Sequence, residues 1–135
     1  MRVGISRLDH LVLTVADVER SVDFYVRVLG MEAITFGGGR RALRFGNSKI
    51  NLHSLGGEIA PHAARPQPGS SDLCFIVEQP LDLLAEGLRE LEAEVILGPV
   101  RRTGARAPLL SLYLRDPDGN LIELSNELRD EISDG

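Results

Sequence analysis

The sequence is poor in cysteine, in aromatic residues and in uninterrupted apolar runs. Its 135 residues include one cysteine, Cys74, no tryptophan, four phenylalanines and two tyrosines. A single thiol forms no internal disulfide, so a reducing compartment, the cytoplasm, is expected. No apolar run approaches the about 18 residues that a membrane span needs. The opening Met1-Arg2-Val3-Gly4 lacks the apolar stretch of a secretory signal. Basic charge is also scarce: 15 Lys and Arg against 20 Asp and Glu leave a net charge of −5. That balance disfavours a binder of phosphate backbones, and so few rings offer no platform for stacking unpaired bases. Neither nucleic acid nor a membrane is an expected partner. What is present, 43% hydrophobic and 26% charged, suits one soluble domain, and the length is too short for two independent ones.

Alternating and helical periods follow one another along the chain. Leu8 to Val15 reads as a strand, with Leu11, Leu13 and Val15 on one face and His10, Val12 and Thr14 on the other. Asp17 is a candidate helix N-cap, Val18, Val22, Tyr25 and Leu29 recur at helical spacing, and Gly30 suits the helix end. Short strands are predicted over Glu32 to Phe36, Arg41 to Phe45 and Lys49 to His53, with glycine-rich turns between them. Residues 54–71 carry prolines and glycines without a period and read as a linking loop. The pattern then restarts, with a strand over Asp72 to Val77 and a helix opened by Pro80. Closing strands are predicted over Glu94 to Leu97, Leu109 to Leu114 and Asn120 to Ser125.

The expected fold is therefore α+β, two βαβββ modules forming paired half-barrels. One domain spans about 5–127, with modules of about 5–54 and 71–126 and an acidic tail over 128–135. An offset of 62 carries His10 to Asp72 and Leu13 to Phe75, while in the last strand an offset of 70 carries His53 to Glu123.

Strand alternation also sorts the polar side chains. With the aliphatic set facing the helix of each module, His10, Asn51, His53, Asp72 and Glu123 take the opposite face. The turn Asp116-Pro117-Asp118-Gly119-Asn120 pins the strand that carries Glu123. Taken singly, each residue admits a plainer role: His10 a hydrogen-bonded polar residue, His53 a solvated one, Asp72 a turn cap, Glu123 a surface carboxylate. Taken together, two imidazoles and two carboxylates in paired slots have the composition of a divalent metal or oxyanion site. Ser111 and Tyr113 alternate with leucines and should line the same face, as ligand contacts or as structural hydroxyls. Arg102 sits in a predicted loop, where it could clamp a substrate anion.

The motifs Leu8-Asp9-His10-Leu11-Val12-Leu13-Thr14-Val15, Phe24-Tyr25 with Leu29-Gly30, and Asp116 through Leu124 resemble the vicinal oxygen chelate superfamily. This superfamily includes glyoxalase I, extradiol dioxygenases and bleomycin-resistance proteins. The resemblance covers about Ser6 to Asn126 and is nearest to short glyoxalase-like proteins. It implies the glyoxalase/bleomycin-resistance/dihydroxybiphenyl dioxygenase fold. It also implies a divalent cation (Zn²⁺, Ni²⁺, Mn²⁺ or Fe²⁺) held by His10, His53 and Glu123, with Asp72 as fourth ligand or general base. By the resemblance, His53 stands where bacterial-type glyoxalase I has a Glu, and Asp72 where it has a His. The implied activity is lyase or isomerase chemistry on a small oxygenated, anionic molecule, with Glu123 and Asp72 catalytic. Asn51, Ser111, Tyr113 and Arg102 are the expected substrate contacts. A metal-free sequestering protein of the bleomycin-resistance kind is the alternative, an extradiol-type dioxygenase the third reading, and a homodimer the expected assembly.

Overall fold

In each half of the chain an amphipathic helix needs an apolar surface, and a strand set with apolar alternate positions supplies it. The computed structural model describes residues 1–129. It divides at the linking loop into two compact units, Met1–Pro68 and a second beginning at Gly69.

The first unit contains β1 (His10–Val15), α1 (Val18–Arg27), β2 (Glu32–Phe36), β3 (Arg40–Phe45) and β4 (Ser48–Ser54). Its sheet runs β1-β4-β3-β2, with β1 parallel to β4 and the other pairs antiparallel. Asp17, in extended conformation, accepts the Arg20 backbone N–H at 3.1 Å and so starts α1 as anticipated. Gly30, at φ +70°, lets the chain leave the helix in the left-handed region. Val22 and Tyr25 from α1, with Val15, Leu43 and Ile50 from the sheet, form the buried core. Each such side chain contributes about 1.5–3 kcal/mol on burial. Arg41, on the helix side of β3, reaches Glu19 of α1 with two contacts of 2.8 and 3.0 Å.

The second unit repeats the plan with β5 (Asp72–Ile76), α2 (Leu81–Glu90), β6 (Leu97–Thr103), β7 (Pro108–Arg115) and β8 (Leu121–Glu127), in the sheet order β5-β8-β7-β6. Leu81 and Leu88 of α2 are buried, as are Leu112, Leu114, Ile122 and Leu124 of the sheet. Pro80 precedes α2 without a side-chain cap. The capping is done from β8: Asn126 Oδ1 accepts the Leu81 N–H at 3.0 Å, and its Nδ2 donates to the carbonyls of Val77 and Gln79.

Two expectations need correction. The strand placed at Glu94 to Leu97 begins only at Leu97 and runs to Thr103, so Arg101 and Arg102 belong to β6 rather than to a loop. Gly98-Pro99 reads locally as a breaker. On an edge strand, however, a proline lacking its N–H is tolerated, and the register shifts between Leu97 and Val100 absorb it. Gly98 (φ +113°) is required there, because a Cβ would come within 2.5 Å of the Ser111 carbonyl oxygen. The second correction concerns the internal repeat. Leu11 pairs with Ile50 and Leu73 with Ile122, so the β4-to-β8 offset is 72, not 70. Glu123 therefore corresponds to Asn51, and His53 corresponds to Ser125. The acidic tail lies outside the described residues from position 130 onwards.

Candidate functional site

In the first unit, the sheet face opposite α1 carries His10, Val12 and Thr14 from β1 beside Lys49, Asn51 and His53 from β4. Register places His10 level with Lys49 and His53 level with Thr14. The two imidazoles thus share a face but stand four residues apart along parallel strands, roughly 13 Å. His10 Nδ1 lies 2.9 Å from Asp9 Oδ2, and this contact is the main reason the Asp9 carboxyl sits below its ordinary value. A carboxylate on Nδ1 fixes the ring and leaves Nε2 as the atom that can coordinate.

Asn51 and His53 are each only 7% exposed. The Asn51 Oδ1 and His53 Nδ1 atoms are buried without a hydrogen-bond partner. Burial, assisted by the Arg40 guanidinium and opposed by the Glu58 carboxylate, lowers the His53 pKa and favours the neutral ring. His62, the other histidine of this unit, lies exposed with Nδ1 2.8 Å from the Ala63 carbonyl.

In the second unit the same face carries Asp72, Cys74 and Ile76 of β5 beside Leu121, Glu123 and Ser125 of β8. The turn before β8 decides this placement. Asp116 Oδ1 accepts the N–H groups of Asp118 and Asn120, each at 2.9 Å, and its Oδ2 accepts Asn120 Nδ2 at 2.8 Å. Asn120 Oδ1 then accepts the Ser71 N–H at 2.8 Å, which locks the start of β5 to the start of β8. Asp72 falls level with Leu121 and Cys74 level with Glu123. The two carboxylates are one strand apart and two residues along, roughly 8 Å between backbones.

Asp72 and Glu123 line one cleft of about 400 Å³ with Leu97, Arg102, Tyr113, Arg115 and Leu121, and among the described residues neither carboxylate is within ion-pair distance of a cation. Glu123 also borders a second cleft of about 500 Å³, with Cys74, Ile76, Leu109 and Glu127. Arg102 is held in place: Nε donates to the Tyr113 hydroxyl at 2.8 Å, Nη1 donates to the Arg101 carbonyl at 3.1 Å, and the guanidinium lies 5.5 Å from the Tyr113 ring centroid. Ser111 is fully buried and its hydroxyl is bonded to that of Ser125 at 2.7 Å. Ser125 in turn lies 3.4 Å from Glu123 Oε2 and from Cys74 Sγ. Partial burial, with Ser125 opposing and the negative charge of Glu123 and Asp72 adding, pushes the Cys74 thiol up, so it is neutral and a poor nucleophile. Arg106 is engaged elsewhere, in paired contacts of 2.7 and 2.8 Å with Glu127. Among the described residues, no three His, Cys, Asp or Glu side chains gather closely enough to hold an ion unaided.

Sequence reasoning missed the surroundings of Asn51 and His53. Phe36, Arg40 and Lys49 share their face, and period-two alternation from Asn51 through the adjoining strands would have found them.

Residues 7–124 match the Glyoxalase/Bleomycin resistance protein/Dioxygenase superfamily. The chain belongs to that superfamily. Within it, the glyoxalase domain-containing protein RDO1 of Mycosarcoma maydis is 51% identical over 93% of this chain and 70% of its own. The virulence protein STM3117 of Salmonella typhimurium strain LT2 is 50% identical over 90% of this chain and 84% of its own. The crystal structure of STM3117 superposes with a TM-score of 0.92, covering 93% of this chain and 100% of that one. At 21–22% identity, a lactoylglutathione lyase from Agrobacterium tumefaciens (TM-score 0.70, over 90% and 94%) and the antibiotic-binding protein TnmS3 from a Streptomyces (0.71, over 94% and 100%) share the superfamily's fold.

Proposed function

We propose that the chain is a glyoxalase-like, divalent-metal-dependent enzyme of the lyase or isomerase type, acting on a small oxygenated, anionic molecule. One observation carries this reading. Asp72 and Glu123, two carboxylates without a cationic partner among the described residues, face the same cleft of the second unit. Arg102 and Arg115 line the cleft without pairing with either carboxylate, so the mutual repulsion of Asp72 and Glu123 favours a bound cation. Their donor atoms are hard oxygens, which suit Zn²⁺, Ni²⁺, Mn²⁺ or Fe²⁺. Once bound, such an ion polarises a substrate carbonyl or hydroxyl oxygen.

The remaining work falls to the chain itself. Glu123, supported through the Ser125 and Ser111 hydroxyls, is placed to take and return a proton at the substrate carbon. Asp72 serves as ligand or base. Arg102, held against Tyr113, orients an anionic substituent, and Leu97 and Leu121 exclude water beside it. The test is metal analysis of protein purified without added metal or chelator. A stoichiometry near one ion per chain is expected. A value near zero that soaking with each of the four ions does not raise would reject the reading.

A second reading, a metal-free sequestering protein, is supported by the cleft beside Cys74. There Ile76 and Leu109 offer apolar surface beside Glu123, the carboxylate left for a cationic ligand once Arg106 of the same lining is paired with Glu127. Glu123→Gln separates the two: turnover and metal content fall together in the enzyme, whereas a sequestering protein has no metal to lose. Oxygen uptake with Fe²⁺ and a catechol tests the dioxygenase reading. The assembly we propose is a homodimer in the cytoplasm, checked by light scattering of the purified chain and by cell fractionation.

A further inference from the structure

We infer that the first unit holds an oxyanion, a carboxylate or phosphate group of the ligand, on the sheet face opposite α1, between Arg40, Lys49, Asn51 and His53. The inference goes beyond the proposed function, because it concerns the first unit alone and does not depend on how the second unit acts.

Three observations converge. Arg40 Cζ lies 4.8 Å and Lys49 Nζ 4.1 Å from the centroid of the Phe36 ring, so two cations share one ring. Neither has a carboxylate within ion-pair distance among the described residues, although Arg41 and Arg44 next to them are matched with Glu19 and Glu32. Asp9 acts on Lys49 only from beyond ion-pair distance, so an anion between the two cations relieves their mutual repulsion.

Pairing supplies the second observation. Phe36 is level with Arg40, and Ala42 is level with Ile34 on one side and Asn51 on the other. Lys49, Asn51 and His53 are successive residues of β4 on that same face, and Ala42 between the strands presents only a methyl group. Long cationic side chains therefore surround a short one.

The third observation is the pair of unpartnered buried atoms, Asn51 Oδ1 and His53 Nδ1, in side chains more than nine-tenths buried. Buried polar atoms are ordinarily satisfied, so these two call for a partner that the chain does not provide. A protonated oxygen, or a hydroxyl adjoining the anionic group, supplies the donor that Asn51 Oδ1 lacks. Among the described residues Glu58 is the one carboxylate acting on His53, and its Oε2 accepts the Gly56 N–H at 3.0 Å.

The experiment follows the ring resonances of His53 by NMR in the full chain. Inorganic phosphate, acetate or sodium chloride is added at matched ionic strength, with no divalent cation present. Saturable one-site shifts with phosphate or acetate, absent with chloride, are expected. Whichever anion saturates at lower concentration identifies the group. Arg40→Gln and Lys49→Gln should each weaken binding by about tenfold or more, as loss of a charge-assisted contact implies. No saturation in the wild type, or unchanged affinity in either folded variant, overturns the inference. Lys49, half-exposed, keeps the test available if Arg40→Gln fails to fold. Since no metal is added, a protein that binds no ion can pass, and one that binds an ion can fail, so the two readings fall separately.

Discussion

The two units share one plan and differ in the charge of the face it leaves open. In the first, the face opposite the helix gathers Arg40 and Lys49 around Phe36, with neutral Asn51 and His53. In the second, the corresponding face carries Asp72 and Glu123 with Arg102 and Arg115 beside them, and Tyr113 stands where the first unit has Ala42. Both units bury leucines and isoleucine against a ten-residue helix, so the core leaves the opposite face free to vary. One scaffold can thus present an anion-seeking surface in one copy and a cation-seeking surface in the other. Fold constrains the first set of residues, and function is written in the second.

That contrast can be broken at its acidic end with the largest effect. Glu123→Gln should lower divalent-metal affinity by about 100-fold or more, beyond the about 10–100-fold that losing a supporting group costs. Equilibrium dialysis measures it, and Asn51→Gln in the other unit should leave the affinity close to wild type. Next, Asn120→Ala removes partners from Asp116 and from the Ser71 N–H, for a loss of about 1–3 kcal/mol in urea unfolding. Ala42→Tyr copies the second unit's residue into the first. Ala42 is fully buried, so overpacking should cost about 1–3 kcal/mol, and phosphate binding should disappear while metal affinity stays.

The smallest effect is electrostatic. Because the fold holds the His53 pKa below its ordinary value, the folded chain takes up a proton less readily than the unfolded one. The stability from a neutral His53 is present above the unfolded value of about 6.5 and is lost as pH falls through the lower folded value. Thermal melts at pH 7.5 and pH 5.5 should show a larger drop in Tm for wild type than for His53→Asn.

How much of this the sequence discloses follows from the two-residue period of a strand. Alternation assigns a residue to a face, so His10, Asn51, His53, Asp72 and Glu123 were all placed opposite their helices, and the pairing registers put them there. A slip of two residues preserves the face, which is why alternation did not distinguish Asn51 from His53 as the counterpart of Glu123. Register is set by distant hydrogen bonds, and those were invisible. The Gly98-Pro99 pair misled for a related reason: whether it ends a strand or bulges one depends on lying at the sheet edge, a property of the assembled sheet. Asn126, capping α2 from β8, joins residues far apart in sequence, and no local pattern announces it.

Asn120 has a consequence for variation among relatives. Its side chain ties Ser71 to the hairpin before β8, downstream of the irregular stretch that follows β4. Insertions or deletions in that stretch end against a fixed clasp, so the acidic pair keeps its spacing while the connection upstream lengthens or shortens. Lineages can remodel this connector without realigning the carboxylates.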